Sequence, residues 1–127
     1  MRTGYWLGVI AGGMLCLGGC GTEAIPVPEV RGTVKYRGQP LRQGVVAIVS
    51  DPQRSRHQVL AVGIIETDGC FTLRREEGGG ILPGWYRVSV LSIGEPRLPE
   101  HYSDPNRSGL FCQVVPDGDN RLCLQLE

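Results

Sequence analysis

Residues 85–91 read WYRVSVL, and this stretch shows the period-two pattern of a β-strand clearly. Tyr86, Val88 and Val90 fall on one face, whereas Arg87 and Ser89 fall on the other. Because successive side chains of a strand point to opposite faces, the pattern predicts a strand with one apolar side. The stretch therefore favours a β fold over a helical one.

Similar short apolar runs recur along the chain between turn signals, and no window keeps a 3.6-residue period. Asp68-Gly69 is a strong hairpin signal, and Arg37-Gly38 marks another tight turn. Strands at this spacing are typical of an all-β sandwich. The seven predicted strands are Val30–Tyr36, Val45–Ser50, Gln58–Glu66, Cys70–Arg74, Trp85–Leu91, Leu110–Val115 and Arg121–Leu126.

Four short motifs follow one another along the chain. They are VRGTVKYRGQPL at residues 30–41, TDGCFTL at 67–73, LPGWYRV at 82–88, and PEHYSDP at 99–105 followed by SGL at 108–110. This ordered set resembles transthyretin-like, or carboxypeptidase regulatory-like, domains, and the last motif is similar to one in small lipoproteins of planctomycete-type bacteria. The resemblance implies a seven-stranded Greek-key, prealbumin-like sandwich.

The first twenty residues have the pattern of a bacterial lipoprotein signal peptide. Arg2 supplies a positive charge, and the uncharged stretch at residues 5–17 is shorter than the about 20 residues that a membrane span needs. Leu17, Gly18, Gly19 and Cys20 then resemble a lipobox. The sequence thus predicts a signal peptide at 1–19, a lipidated Cys20 with a tether at 20–28, and one sandwich domain at 29–127.

Lipidation of Cys20 implies a membrane anchor, because diacylglycerol is attached to the thiol before cleavage and several acyl chains, such as palmitate, bind stably. The tether at 21–28 reaches about 25 Å, so we expect the domain near the bilayer, facing the periplasm. Gly21, rather than Asp, follows the lipidated Cys, which favours the outer membrane. An ordinary signal peptide and an uncleaved anchor are the alternatives; no Ala-x-Ala site supports the first, and many glycines weaken the second.

Composition narrows the choice of partners. The chain has 13 basic and 13 acidic residues, so it lacks the basic excess of a nucleic-acid-binding protein. Its two histidines, His57 and His101, form no His-x-His pair, and a metal site needs three or four clustered ligands. We therefore predict no nucleic-acid partner, no metal and no cofactor.

A catalytic set is also hard to find. Tyr36-Arg37-Gly38 resembles part of the Tyr-Arg-Gly-Ser ending of hydroxyisourate hydrolases, which share the transthyretin fold, but here it lies in the first hairpin and Gln39 follows it. His101, Ser103 and Asp104 are the residue types of a hydrolase triad, but neighbours in one loop rarely adopt triad geometry. The sequence predicts a protein that is not an enzyme.

Three cysteines follow the lipobox: Cys70, Cys112 and Cys123. A two-residue turn at Asp117-Gly118 would place Cys112 opposite Cys123 in a hairpin, within disulfide range. Leu122, Leu124 and Leu126 mark the core face of the last strand, so Cys123 points outward, and a one-residue slip in the partner strand decides whether the thiols meet. A bridge between them remains an open alternative at this point.

Three functions compete. The leading hypothesis is an envelope lipoprotein whose non-catalytic domain binds a protein or glycan, or serves structurally. The second is a small-molecule carrier that uses a cleft or a dimer channel. The third is a hydrolase of the transthyretin-related type. The most useful observation for choosing among them is whether the segment at residues 92–109 forms the wall of a pocket or only covers the sheet.

Overall fold

The chain folds into a curled β-sheet, as seen in a computed structural model that describes residues 27–127 except 56 and 118. The predicted signal peptide, the lipobox residues Leu17, Gly18, Gly19 and Cys20, and the tether as far as residue 26 lie outside the described residues. The described elements are β1 Val30–Tyr36, β2 Gln39–Pro40, β3 Gly44–Ser50, β4 Leu60–Ile65, β5 Cys70–Arg75, β6 Gly84–Ser92, the 3₁₀ helix Glu100–Ser103, β7 Leu110–Val114 and β8 Asn120–Leu126.

The strands are neighbours in the order β2-β1-β5-β4-β3-β6-β7, all antiparallel, and β8 runs parallel to β1. Strand β5 links the two parts of the sheet: residues 70–73 pair with β1, and Arg74 and Arg75 pair with β4. The sheet therefore curls at β5, which brings the apolar faces of both parts toward one core. The all-β prediction is confirmed.

Each of the seven predicted strands is present, with ends that differ by two residues at most. The structure has one further strand, β2, whose two residues are too few to show any alternation in the sequence. It pairs with β1 across the Arg37-Gly38 turn, where both residues have a positive φ (53° and 81°). This turn confirms the hairpin expected there, because glycine adopts a left-handed conformation without steric cost.

The pairing predicted for the last two strands is wrong. Strand β7 pairs with β6, and β8 pairs with β1, so Leu110–Val114 and Asn120–Leu126 form no hairpin with each other. The Asn120 side chain accepts a hydrogen bond from the Val115 N–H and donates one to the Val115 carbonyl, both at 2.9 Å. This side chain satisfies the backbone at the end of β7 while the chain crosses to the other part of the sheet.

The core contains one face of every long strand, as the alternation predicts. Tyr86, Val88 and Val90 of β6 are almost fully buried. Tyr86 donates a hydrogen bond from its hydroxyl to the Leu82 carbonyl, so its polar end is also satisfied. The other nearly inaccessible apolar side chains are Val30, Val34, Leu41, Val46, Ile48, Ala61, Leu73 and Ile81.

Candidate functional site

The loop after β3 contains a buried carboxylate, Asp51, which is 1% exposed. One of its oxygens accepts a hydrogen bond from Arg54 Nε at 2.6 Å, and the other lies 3.3 Å from Arg87 Nη2. The Gln53 N–H donates to the second oxygen at 3.1 Å. The pKa of this carboxyl lies below its ordinary value, chiefly because of the hydrogen bond from Arg54. We call Asp51, Arg54 and Arg87 the charge cluster; its formal charge is one positive unit.

Backbone contacts fix the position of the charge cluster. The Asp51 N–H donates to the Trp85 carbonyl at 3.0 Å, and the Asp51 carbonyl accepts from the N–H groups of Arg54 and Ser55. The guanidinium of Arg54 then stacks 4.2 Å above the centre of the Trp85 ring and 5.0 Å from that of Phe111. Such stacking of a cation on aromatic rings is attractive, and it keeps Arg54 on the outside of the sheet.

A cleft of about 580 Å³ opens beside the charge cluster. Val49, Leu60 and Arg87 lie along its floor, and Pro105 and Asn106 form one wall. Asn106 Oδ1 accepts a hydrogen bond from Arg87 Nη1 at 2.6 Å, whereas Arg87 Nε is buried with no partner among the described residues. The remaining lining residues are Ser50, Pro52, Ser55, His57, Gln58 and Val59.

The segment at residues 92–109 contributes to this cleft and also covers the core. Tyr102 is buried, and its hydroxyl accepts a hydrogen bond from the Glu127 N–H at 3.1 Å. The buried Ser108 donates from its hydroxyl to the Val88 carbonyl and accepts from the Leu110 N–H. Because Tyr102 and Ser108 are held in this way on either side of them, Pro105 and Asn106 form a fixed wall.

The side chains of the three residues that resemble a hydrolase triad each contact a neighbouring residue of their own loop. The His101 ring packs on Tyr102 with 4.2 Å between centres. The Ser103 hydroxyl donates to the Glu100 carbonyl at 2.8 Å, and the Asp104 carboxylate accepts from the Asn106 N–H at 2.9 Å. These contacts stabilise the 3₁₀ helix and the turn after it.

The thiols of Cys112 and Cys123 are free and lie on strands that do not pair, so the structure lacks the bridge that the sequence left open. Cys112 is buried with the alternate residue Val114, whereas Cys123 is exposed. Burial raises the pKa of the Cys112 thiol to about 12. Two features keep the thiols apart: β7 and β8 do not pair, and Cys112 lies on the core face of β7 whereas Cys123 lies on the outer face of β8.

A second notable surface is the outer face of β4, β3, β6 and β7. The outward side chains of β4 are Leu60, Val62 and Ile64, which are 61%, 40% and 72% exposed. They lie beside Val45, Ala47 and Val49 of β3, so the face continues across the strands. We call this the apolar face. The sequence signal was the unbroken apolar run from Val59 to Ile65, which departs from strict alternation.

The residues that the structure describes contain no group of three or more side chains suited to holding a metal ion. Within that same range, no helix is long and apolar enough to cross a membrane.

The charge cluster was missed because one member, Arg87, is distant in sequence from the other two. Asp51 and Arg54 have the (i, i+3) spacing of an ion pair, a signal that was available, but Arg87 comes from another strand.

No protein-family model, curated protein or solved structure matches the chain.

Proposed function

We propose that this protein is a lipoprotein of the bacterial cell envelope, anchored through Cys20, whose domain is a non-catalytic binding module. We further propose that the curled sheet is a transthyretin-like Greek-key sandwich. The motif order at residues 30–41, 67–73, 82–88 and 99–110 supports the second proposal, as does the way β5 divides the sheet into two parts.

The binding role is carried by one observation: the apolar face and the cleft adjoin each other. Leu60 and Val49 belong to both, so an apolar surface leads directly to the polar groups of Arg87 and Asn106. Isolated exposed apolar residues are normal on proteins, but contiguous ones with polar groups at their edge mark interaction sites.

We propose that the domain is not catalytic because two serine hydroxyls and the carboxylate near the cleft already have structural partners. The Ser55 hydroxyl donates to the Trp85 carbonyl at 2.8 Å, and the Ser50 hydroxyl accepts from the Val59 N–H at 2.7 Å. Asp51 is engaged by two arginines. A nucleophile requires a free base in hydrogen-bond contact, and these hydroxyls instead stabilise the loop.

The anchor is tested by growing cells with a palmitate analogue and measuring its incorporation into the full-length protein. We expect strong labelling of the wild type and none of Cys20→Ser, because the thiol is the acceptor. Cys16→Ser, four residues earlier, is the matched control and should label normally. Labelling that survives Cys20→Ser would contradict the proposal.

The cleft itself favours a second candidate function, a small-molecule carrier. Its volume of about 580 Å³ is in the usual range for ligand pockets, and it combines an apolar floor with the Arg87 guanidinium. Native mass spectrometry of the full-length protein, released gently from membranes, would then detect a bound molecule of fixed mass. Leu60→Trp, which fills the cleft with an apolar side chain, should abolish that adduct, and a wild type without any adduct would rule the carrier out.

A further inference from the structure

The apolar face carries almost no charge. The outward positions of its four strands include a single charged residue, Arg87, and no acidic one. Arg74 of the adjoining strand β5 lies beside Val62, at the border of the face. Leu91 of β6 and Phe111 of β7 are 54% and 49% exposed on this side. The full set of outward residues is Val45, Ala47, Val49, Leu60, Val62, Ile64, Trp85, Arg87, Ser89, Leu91, Phe111 and Gln113.

The outer face of β1 and β8 provides a comparison within the same molecule. Its outward residues are polar or small, as expected for a sheet that faces water on one side. They are Arg31, Thr33 and Lys35 on β1 and Arg121, Cys123 and Gln125 on β8. The apolar face therefore departs from the pattern of the domain to which it belongs, which indicates that something covers it.

The size of the apolar face argues against a second copy of the chain as its cover. From Trp85 to Leu91 along β6 and across four strands, it measures about 20 Å by about 14 Å between Cα positions, and roughly 500 Å² with side chains. A stable protein interface buries about 800 Å² on each partner. The face is thus too small to hold a dimer by itself, but it is large enough to rest on a surface to which the protein is already bound.

The described part of the chain begins near one end of this face. The Pro28 carbonyl accepts a hydrogen bond from the Ile81 N–H at 2.9 Å, and the neighbouring Gly80 carbonyl accepts one from Arg75 Nε at 2.8 Å. Arg75 pairs with Ala61, next to Leu60. Cys20 lies eight residues before Pro28, a reach of about 25 Å, so a bilayer that holds acyl chains on Cys20 would lie within that distance of Pro28, near the Leu60 end of the apolar face.

We propose that the apolar face rests on the phospholipid bilayer that holds the anchor, an inference that depends on the proposed lipidation of Cys20. Leu60, Ile64 and Leu91 lie at the level of the acyl-chain boundary. The guanidinium group of Arg54, whose side chain is 42% exposed, lies at the edge, where phosphate groups of the lipids are available. Anchoring supplies the high local concentration of lipid that a small apolar patch requires.

Trp85 makes this proposal measurable. The chain has two tryptophans, Trp6 in the predicted signal peptide and Trp85 on the outer side of β6, so the processed protein would contain Trp85 alone. The full-length lipidated protein is reconstituted into phosphatidylcholine–phosphatidylglycerol vesicles with either ordinary or brominated acyl chains. Bromine quenches indole fluorescence at short range, so we expect loss of most of the Trp85 emission in the brominated vesicles.

Two matched variants separate the apolar face from the rest of the surface. The triple change Leu60→Ser, Ile64→Ser and Leu91→Ser should abolish quenching while the protein still floats with the vesicles, because the anchor is intact. These side chains are more than half exposed, so the fold should persist, and circular dichroism checks this. The control on the opposite face, Arg31→Ser with Lys35→Ser and Gln125→Ser, should be quenched like the wild type.

The outcomes distinguish the two proposals. A wild-type protein that fails to float with vesicles contradicts the anchor, and this inference falls with it. Flotation with unquenched Trp85 contradicts the membrane contact alone. If, in that case, the protein also dimerises in detergent-free solution and the serine triple variant does not, the apolar face belongs to a second copy.

Discussion

Asp51 shows how one buried charge organises a surface loop. Its carboxylate holds Arg54 over the Trp85 ring and brings Arg87 to the edge of the cleft. The ion pair between Asp51 and Arg54 could be predicted from the sequence, because the two residues are three positions apart in a loop. The contact with Arg87 could not, because strand pairing between β3 and β6 brings together residues that are distant along the chain.

We predict that Asp51→Asn lowers the melting temperature at neutral pH, because two arginines lose their counter-charge. The pKa of the carboxyl is lower in the folded protein than its ordinary value of 3.8, so it stabilises the fold above that value. This stabilisation is lost as the pH falls through the lower, folded-state pKa. The difference in melting temperature between wild type and variant should therefore shrink in acid.

The control for this measurement is Asp119→Asn, since Asp119 is exposed and 3.6 Å from an exposed Arg121. We expect little change, as is typical of surface ion pairs. A difference between wild type and Asp51→Asn that stays constant into strong acid would show that the charge cluster is not what stabilises the loop.

The cysteines differ in reactivity for reasons of burial. We predict that Cys123 is alkylated rapidly at mildly alkaline pH and that Cys112 stays unmodified until the protein unfolds, because burial raises the pKa of the Cys112 thiol to about 12. Peptide mass spectrometry with and without denaturant measures both rates. Recovery of a Cys112–Cys123 cross-linked peptide without reductant would contradict the free thiols of the structure.

At the scale of strands, the sequence predicts where each strand lies along the chain better than it predicts which strands pair with each other. Alternation is a local property, so residues 85–91 predicted β6 without knowledge of its neighbours. The partner of β8 depends on a crossover closed by the Asn120 side chain, and a turn-like Pro-Asp-Gly sequence cannot reveal that crossover. The same limit explains the missed cleft, whose walls belong to two loops that are close in space and distant in sequence.

Strand β1 depends on Gly32 for its approach to β8. A Cβ atom at this position would lie 2.0 Å from the Leu122 carbonyl oxygen. We predict that Gly32→Ala destabilises the domain by about 3 kcal/mol, because the strands must separate to admit a methyl group. Chemical denaturation measures the loss, and hydrogen exchange should place it in β1 and β8.

Gly38→Ala is the matched control for this change. Gly38 has a φ of +81°, but no atom lies within 4 Å of the added methyl group. The cost should be that of a left-handed residue, about 1 kcal/mol, with exchange of β8 unchanged. Equal losses in the two variants would contradict a steric role for Gly32.

At the scale of the molecule, the all-β class is confirmed, and the Greek-key sandwich and the predicted function stay proposals. The domain has one polar outer face and one apolar outer face, and strand β5 joins the parts that bear them. This asymmetry could not be predicted from the sequence. When both faces of a strand carry apolar residues, the sequence does not show which face points to the core, because that depends on how the sheet curls. The run at residues 59–65 is the clearest instance.

The parallel pairing of β1 and β8 has a mechanical consequence. Seven residues of each strand are in register, from Val30 beside Asn120 to Tyr36 beside Leu126, and the chain enters at one end of this ladder and leaves at the other. A force between residue 28 and Glu127 therefore loads the ladder in shear, so its hydrogen bonds bear the load together instead of opening one by one. Single-molecule stretching should record one high rupture force, which Gly32→Ala should reduce because it disturbs this ladder.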